Sequence, residues 1–324
     1  MPGGKSGNGW VTCEQGHQHW GLFGAAGVLV YVPHPTDQAL SQVLLQHRAQ
    51  WSHQGGTWAL PGGAMDSEET PAEAALREAD EEVMLDPKLV VPRGMYTDDH
   101  GGWAYHSVLA QAAEPLRVHS DDFESDGAAW LPAVEVDQLD LHPGFAASWP
   151  VLREALSPLT VFVDGARFVD GARMTDTRPG ADNPAEAGRR LHAQLTELIR
   201  TGIPVLPDTT AAPLLARWYP DYVLVLGEAA AAAAANSAAA DAARAADRTP
   251  RASWNEPLTV RTAEIRIVAV ADGARAGDVI SDLTENTPGR RVVVSDRRAV
   301  RDRGAAAGAA VTGLNWLLGL LKPG

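Results

Sequence analysis

The chain has 324 residues, 45% of them hydrophobic, and this length and apolar content suit two domains with separate cores. Its formal net charge of -14 is unevenly divided, because residues 1–157 hold 7 Lys and Arg against 22 Asp and Glu, whereas residues 158–324 hold 20 against 19. An acidic surface repels the nucleic-acid backbone, so the first half is a poor duplex-binding surface and better suits small metal-bound substrates.

The N-terminal segment has no basic-then-apolar pattern typical of a signal peptide, and no apolar run in the chain reaches the roughly 18 residues of a membrane span. The single cysteine, Cys13, excludes an internal disulfide framework, so a cytoplasmic protein is expected. Cys13, His17 and His19 have a spacing that could hold part of a zinc site, but such a site needs four ligands and there is no second cysteine. A polar loop or hairpin is therefore the favoured interpretation.

A mixed α/β pattern is predicted for the first half. Residues 24–32 are predicted to form a strand and 42–46 its hairpin partner, with prolines marking the loop between them. Further strands are expected at Leu89–Tyr96, Trp103–Gln111 and Ala128–Leu131, and a closing helix at 145–156. Trp51 and Trp58 are expected to be packing residues, the alternative being that Trp51 contacts a ligand together with His47 and Arg48.

A helix is predicted from about Pro71 to Met84, within LPGGAMDSEETPAEAALREADEEVML. Thr70 followed by Glu73 is a capping-box pattern, and proline suits the first helical position because its missing N–H costs nothing there. One face of this helix is apolar, so the helix should pack with a fixed orientation.

The opposite face of the predicted helix is acidic. Glu78, Glu81 and Glu82 share it at spacings i, i+3 and i+4, although like charges at that spacing destabilise a helix by a few tenths of a kcal/mol per pair. A solvated acidic face is the alternative. Against it, the Gly62-Gly63 pair lets the backbone approach a metal or phosphate closely, and clustered carboxylates with backbone oxygens suit magnesium and substrate phosphates. Arg77, amid these acids, could pair with Glu69 and hold down the preceding loop.

This stretch closely resembles the Nudix box. That pattern is Gly-x5-Glu-x7-Arg-Glu-apolar-x-Glu-Glu-x-Gly-apolar, where x is any residue. The matching positions are Gly63, Glu69, Arg77, Glu78, Ala79, Glu81, Glu82 and Leu85. Met84 departs from the pattern, because it stands where the family has a glycine expected in a left-handed conformation. A methionine there costs on the order of 1 kcal/mol.

The resemblance implies an α/β/α sandwich with a mixed sheet and a hydrolase that cleaves a diphosphate linkage by water attack on phosphorus. It implies Glu78, Glu81 and Glu82 as ligands of Mg²⁺, or alternatively Mn²⁺, with the Gly62 carbonyl nearby. One of these glutamates, or a residue on a later loop, would activate water. Glu69 and Arg77 would be structural members of the box.

The flanking sequence bears on the substrate. VLLQHRAQWSHQGGTWALPGG looks like the MutT-type nucleoside triphosphate branch, and Arg48, Gly62 and Gly63 are candidate substrate-binding residues. Glu124, six residues before Trp130, matches an acid of MutT-like enzymes and is a candidate base or metal ligand, an ordinary loop acid being the alternative. The proline usual in ADP-ribose hydrolases is missing from DDHGGWAY. A nucleoside triphosphate, intact or damaged, is the favoured small-molecule substrate.

The second half begins near Ser157-Pro158 and alternates strands with helices, which predicts a doubly wound parallel sheet. Apolar runs mark strands at LTVFVDG, YVLVLG, RTAEIRIVAVA and RRVVVSD, and helices are expected at 185–201, in GDVISDL and in the last segment, WLLGLL. The alanine-rich segment 228–248 predicts either a solvated helix or a disordered insertion.

Acids follow the predicted strands of this half. Asp164 and Asp296 should lie at the same sheet edge, and Asp278 and Asp282 share a helix face, so the four are a possible second metal site. The segments VFVDGAR, AGDVISDL and VVVSDRRAVRDRG resemble the PIN-like NYN ribonuclease family, with Arg167 in place of an asparagine and Val279 in place of an aspartate.

Three functional hypotheses remain open. The main one is a Nudix hydrolase of nucleoside diphosphate-linked substrates joined to a PIN-like domain (1–157 and 158–324). The second is a metal-dependent ribonuclease with a Nudix nucleotide sensor, in which the arginines near the C-terminus could contact RNA; a solvated basic helix or a structural remnant is the alternative interpretation of that half. The third is a non-catalytic nucleotide-binding module, although such a module has no reason to keep three repelling carboxylates.

Overall fold

The computed structural model describes residues 5–52, 54–119, 125–166, 183–247, 262–271 and 273–321. The chain divides into two compact units. The first holds the residues up to Pro158 and the short segment Ala212–Trp218, and the second holds Leu159–Ala211 and most of the chain from Tyr219 onwards. Within the described ranges, every helix is too short or too polar to cross a lipid bilayer.

The strands are β1 (Trp10–Thr12), β2 (Gln18–Trp20), β3 (Ala25–Val32), β4 (Gln42–Arg48), β5 (Trp58–Ala59), β6 (Gly62–Ala64), β7 (Val90–Asp99), β8 (Ala104–Ala112), β9 (Ser125–Pro132), β10 (Leu159–Asp164), β11 (Arg217–Trp218), β12 (Asp221–Gly227), β13 (Ile265–Val270), β14 (Arg290–Val294) and β15 (Ala310–Thr312). The α-helices are α1 (Pro71–Val83), α2 (Pro143–Glu154), α3 (Pro184–Thr201), α4 (Glu228–Asp247), α5 (Ala276–Glu285), α6 (Arg298–Ala306) and α7 (Leu314–Leu320). Short 3-10 turns lie at Gln38–Leu40, Pro87–Leu89 and Ala133–Gln138.

The first unit is built on a mixed sheet with the order β11-β7-β8-β3-β4-β5, in which β6 also pairs with β3 and β9 with β4. Strand β3 runs parallel to β8 and antiparallel to β4 and β6. Both faces of β3 are covered, since Val28 and Val30 pack with α1 while the alternate residues Leu29 and Tyr31 are also buried. The predicted strands, their hairpin and the closing helix of this half are confirmed.

A two-stranded hairpin precedes this sheet. Strands β1 and β2 pair antiparallel, with Trp10 opposite Trp20 and Val11 opposite His19. The hairpin expected around Cys13 is therefore confirmed.

The second unit contains a five-stranded sheet in the order β13-β12-β10-β14-β15, and every neighbouring pair is parallel. The central strand β10 is buried along its whole length, and Val292–Val294 of β14 beside it are buried as well, as expected for strands covered on both faces. The predicted parallel sheet is confirmed.

The alanine-rich segment forms the long helix α4, which confirms the helical alternative over the disordered one. The helix is not solvated all round, because Ala230, Ala231 and Ala234 are buried. It packs closely on α3, where a Cβ atom at Gly188 would lie 2.6 Å from the Ala230 carbonyl oxygen. Small residues on both helices therefore allow their backbones to come close together.

Candidate active site

The helix α1 begins and ends as its sequence predicts. The Thr70 side chain accepts a hydrogen bond from the Glu73 N–H (3.3 Å), and the Glu73 carboxylate accepts one from the Thr70 N–H (2.8 Å), which completes the capping box. The helix ends at Val83, and Met84 adopts the left-handed conformation with φ 55° and ψ 37°. The expected left-handed cap is thus confirmed at the position where the box has glycine.

The apolar stripe of α1 fixes the direction of its acidic face. Ala75, Leu76, Ala79 and Val83 are fully buried in the core that also contains β3 and β8. Glu78 and Glu82 lie three residues after Ala75 and Ala79, and side chains at that spacing are neighbours on a helix surface. The two glutamates therefore border the apolar stripe, and both lie against strand β6.

Glu82 is the most buried of the three glutamates, with 6% of its surface exposed. Its Oε2 accepts a hydrogen bond of 2.8 Å from the Gly62 N–H. Burial raises the pKa of Glu82 to about 8; the Gly62 hydrogen bond opposes this shift and the nearby Glu78 charge adds to it. An acid in this environment holds its proton near neutral pH unless a bound cation offsets the desolvation.

Two glycines make this arrangement possible. A Cβ atom at Gly62 would lie 2.4 Å from the Ala26 carbonyl oxygen, and one at Gly63 would lie 2.6 Å from the Glu78 carboxyl carbon. The absence of side chains therefore lets the strand β6 backbone touch the carboxylates directly. Burial also raises the pKa of Glu78, and the hydrogen bond from Arg77 opposes that shift.

Arg77 connects the acids of the box. Its Nε and Nη2 donate to the two oxygens of Glu69 (2.7 and 2.9 Å), its Nη1 to Glu78 (2.8 Å) and Glu81 (3.2 Å), and Nη2 also to the Ala64 carbonyl oxygen (3.0 Å). The predicted pairing of Arg77 with Glu69 is present. Glu69 in turn accepts from the Asp66 N–H at 3.0 Å, so the loop before the helix is held against it.

Glu81 differs from its two neighbours, since 60% of its side chain is exposed. Glu82 and the partly buried Glu78 thus form a carboxylate pair, with Glu81 at its solvent side. The donor set is carboxylate oxygen beside a backbone that approaches closely, which is what a hard divalent cation such as Mg²⁺ prefers. Desolvation raises the pKa of both Glu78 and Glu82, and a bound cation would offset it, so these residues fit the metal that the box implies.

Tyr105 on β8 is a site residue that the sequence did not reveal. A Cβ atom at Gly27 would lie 2.2 Å from its hydroxyl oxygen, so the ring reaches β3 through a gap left by a glycine. Burial raises the pKa of Tyr105, and the charges of Glu82 and Glu78 raise it further. Tyr105 therefore stays protonated beside the carboxylates. Nothing in its local sequence marks it, because its position depends on the pairing of β8 with β3.

The other predicted residues have different outcomes. The pairing of β4 with β9 shifts register between His47 and Arg48, and the Arg48 charge lowers the pKa of Glu82, so Arg48 lies near the carboxylates. Trp51 is 65% exposed, so the expectation that it packs in a core is wrong. Glu124 lies outside the described residues and stays a prediction.

Three of the four predicted acids of the second unit are engaged by other groups. Asp164, fully buried at the end of β10, accepts hydrogen bonds from Arg297 Nε (2.8 Å), Arg297 Nη2 (2.7 Å) and the Ser295 hydroxyl (2.6 Å). Asp278 pairs with Arg303 at 2.5 Å, and Asp296 accepts from the Leu314 N–H at 2.9 Å. Asp282 is exposed on α5. The second metal site stays a prediction, with arginines bound to two of its four acids.

The fold and the glutamate helix define a class of phosphate-anhydride hydrolase, and comparisons with known proteins agree. The family model for the NUDIX domain matches residues 23–154. The chain is 47% identical over 161 residues to a Mycobacterium tuberculosis protein provisionally named 8-oxo-dGTP diphosphatase 3, covering 48% of this chain and 72% of that one. The chain belongs to the Nudix family and is a diphosphatase-type hydrolase.

Two further relatives are each similar to somewhat less than half of the chain. A nucleoside triphosphate pyrophosphatase/Nudix hydrolase fusion protein of Bifidobacterium longum is 39% identical over 157 residues, which cover 48% of this chain and 33% of the relative. The crystal structure of RenU, a Nudix hydrolase from M. smegmatis, is 48% identical with a TM-score of 0.43, covering 46% of this chain and 94% of RenU.

Proposed function

We propose that the enzyme hydrolyses nucleoside triphosphates, oxidised ones such as 8-oxo-dGTP in particular, in a Mg²⁺-dependent reaction that releases pyrophosphate. The observation that carries the proposal is the pair of the buried Glu82 and the partly buried Glu78, held against Gly62 and Gly63. The names of the relatives from M. tuberculosis and B. longum support a triphosphate substrate. The MutT-like sequence before the box supports the same class.

Glu78, Glu81 and Glu82, with the Gly62 carbonyl, would hold the metal, whose positive charge would neutralise the diphosphate oxygens. The chain's own residues supply positioning and proton transfer. The Gly62 N–H fixes the Glu82 carboxylate, and Arg77 fixes Glu78 from the other side. One of these glutamates, or Glu124, takes the proton of the attacking water as its oxygen bonds to phosphorus and the bridging P–O bond breaks. Arg48 contributes positive charge for the phosphates.

The test compares wild type with Glu81→Gln and Glu82→Gln by pyrophosphate release from 8-oxo-dGTP, dGTP and ADP-ribose with Mg²⁺. Each variant should lose at least about 100-fold in kcat/KM on the triphosphates, because a ligand and proton acceptor is removed. Glu68→Gln, which changes an exposed acid just before the helix, is the matched control and should retain activity. Full activity of both box variants, or a clear preference for ADP-ribose, would overturn the proposal.

A second candidate function is that the second unit is a metal-dependent ribonuclease. Its parallel sheet supports this alternative, because a PIN-like fold has such a sheet. The engaged acids weigh against that activity, since Arg297 already occupies both carboxylate oxygens of Asp164. The arginines are also engaged within the unit: Arg303 pairs with Asp278, and Arg301 donates to the Ser295 carbonyl oxygen at 2.6 Å. RNA cleavage that is lost in Asp164→Asn but kept in Glu81→Gln would favour the ribonuclease.

A further inference from the structure

One cysteine and three histidines meet in the first unit, outside the carboxylate site. Cys13, His17 and His19 lie on the hairpin of β1 and β2, and His100 lies in the turn between β7 and β8. One ligand atom from each of the four side chains lies within 4.8 Å of the other three. His100 supplies the fourth donor that the local spacing of the first three does not.

Backbone hydrogen bonds bring the two turns together. The Cys13 N–H donates to the His17 carbonyl oxygen and the Gly16 N–H to that of Cys13, both at 3.0 Å, which closes the hairpin turn. The Glu14 N–H donates to the Gly101 carbonyl oxygen at 2.9 Å and so ties the hairpin to the β7–β8 turn. The cluster is therefore held by two segments that lie almost ninety residues apart in the chain.

Two imidazole nitrogens in the cluster make no hydrogen bond with the described residues. His100 is oriented by Asp98, whose carboxylate lies 3.2 Å from its Nε2. Its other nitrogen, Nδ1, is buried, as is Nε2 of His19, and neither finds a hydrogen-bond partner among the described residues. Histidines that bind metal are commonly held by a carboxylate on the nitrogen that does not bind it, and the Asp98–His100 contact has that form.

An aromatic neighbour holds one ring of the cluster in place. The His19 ring stacks on Trp103, with ring centroids 3.9 Å apart and an interplanar angle of 9°. Cys13, with 5% of its surface exposed, lies beside these rings as the only cysteine of the chain.

The two tryptophans of the hairpin lie largely at the surface. Trp10 and Trp20 contact each other edge to face, yet they are 56% and 45% exposed. Two-stranded hairpins are marginally stable in water by themselves, and small elements of this kind are commonly fastened by a metal ion. A metal cross-link between the hairpin and the β7–β8 turn would add to the stability of both.

We propose that Cys13, His17, His19 and His100 together bind one structural zinc ion. Thiolate and imidazole are the ligands that zinc prefers, and four protein ligands close a tetrahedral site, which leaves no position for a reacting water. Ligand atoms of such a site lie roughly 3.3–3.6 Å apart, so the side chains need to close by only about 1 Å. The donor set differs from the all-oxygen site of the glutamates, so the two sites select different metals.

The test uses the full-length protein, first as purified without chelator and then after metal removal. Elemental analysis should find one zinc per chain. Titration of the metal-free protein with Co²⁺ should produce a thiolate-to-cobalt charge-transfer band, and that band must come from Cys13 because the chain has no other cysteine. Cobalt bound by the glutamates has oxygen ligands and gives no such band.

Variants then assign the ligands. Cys13→Ser and His17→Gln should each lose at least about tenfold in zinc affinity, and Asp98→Asn should lose about 10–100-fold because it no longer orients His100. His34→Gln, an exposed histidine outside the cluster, is the control. If the Cys13→Ser variant fails to fold, two measurements still test the proposal. They are the zinc affinity of His17→Gln, which changes an exposed residue, and the cobalt spectrum of the wild-type protein. Zinc retained at wild-type affinity by the His17→Gln variant, or cobalt binding without the thiolate band, would overturn the proposal.

Discussion

The Gly62 N–H donates a 2.8 Å hydrogen bond to Oε2 of Glu82, twenty residues further along the chain. This bond joins strand β6 to the middle of the site, because Glu82 lies on α1 with its carboxylate almost fully buried. A hydrogen bond from one N–H stabilises the ionised form but does not offset the loss of water around it. Burial of the Glu82 carboxylate therefore has a free-energy cost, which lowers the stability of the metal-free protein.

That cost predicts how stability depends on pH in the presence of chelator. The pKa of Glu82 rises from an ordinary value of 4.5 to about 8 on folding, so between these pH values the folded state keeps a proton that the unfolded state has released. The free energy of unfolding should therefore fall as pH rises from about 5 to 8, by at most about 1.4 kcal/mol per pH unit from this group.

Glu82→Gln removes this dependence, because the amide does not ionise. Chemical denaturation in EDTA across pH 5 to 8, followed by tryptophan fluorescence, should show the variant gaining stability over wild type as pH rises. Glu68→Gln should follow the wild-type curve. Parallel curves for wild type and Glu82→Gln would show that Glu82 does not hold its proton in the folded protein.

Arg77 should be the most sensitive structural residue of the box. Its removal leaves the partly buried carboxylates of Glu69 and Glu78 without their main partner, and uncompensated charges of this kind destabilise strongly. Arg77→Gln should lower the free energy of unfolding of the first unit by about 2–3 kcal/mol. Arg77→Lys should recover only part of it, because an ammonium group does not match the two-oxygen contact with Glu69.

The matched control is Arg153→Gln in the same unit. Arg153 pairs with Asp137 at 2.9 Å, but both side chains are about half exposed, so the change should stay within about 1 kcal/mol of wild type. Equal effects of the Arg77 and Arg153 substitutions in urea denaturation would contradict a special role for Arg77.

The features that the sequence predicted correctly depend on local spacing. The capping box of Thr70 and Glu73, the left-handed Met84 and the contact of Arg77 with Glu69 all lie within a short segment whose helical geometry determines them. The longer strands of both sheets were likewise marked by continuous or alternating apolar runs, whereas the short strands β5, β6, β11 and β15 were not predicted.

The features that the sequence missed depend on contacts between distant segments. Tyr105 reaches the carboxylates because β8 pairs with β3, and His100 joins Cys13 because two turns meet. No local sequence pattern indicates either contact. Asp164 does lie at the end of its strand as predicted, but Arg297, from the segment after β14, binds it. Sequence spacing does not show whether such an acid binds an arginine or a metal ion.

Met84 offers a test of local strain. Its side chain is 59% exposed, so it contributes little packing, whereas its φ of 55° is unfavourable for any residue with a Cβ atom. Met84→Gly should therefore raise the free energy of unfolding by about 1 kcal/mol. Met84→Ala keeps the Cβ atom and should show no such gain. Thermal unfolding of the three proteins checks this, and equal stability of the glycine and alanine variants would rule out backbone strain as the cause.

The pair of Asp164 and Arg297 should hold the sheet edge of the second unit together. Asp164 is fully buried and takes two hydrogen bonds from Arg297, whose side chain is 34% exposed. Arg297→Gln leaves a buried carboxylate with only the Ser295 hydroxyl, and should destabilise this unit by about 3 kcal/mol. Hydrogen exchange at β10 and β14 measures the effect, because it reports on these strands separately from the first unit.

Two comparisons identify the cause of that effect. Arg298→Gln, which affects an exposed arginine 3.6 Å from Asp302, should leave exchange unchanged. Adding Asp164→Asn to Arg297→Gln should restore part of the lost protection, since it removes the uncompensated charge. If the double variant is instead less protected than Arg297→Gln alone, the arginine contributes through packing rather than through its charge, and Asp164 tolerates burial without a cation.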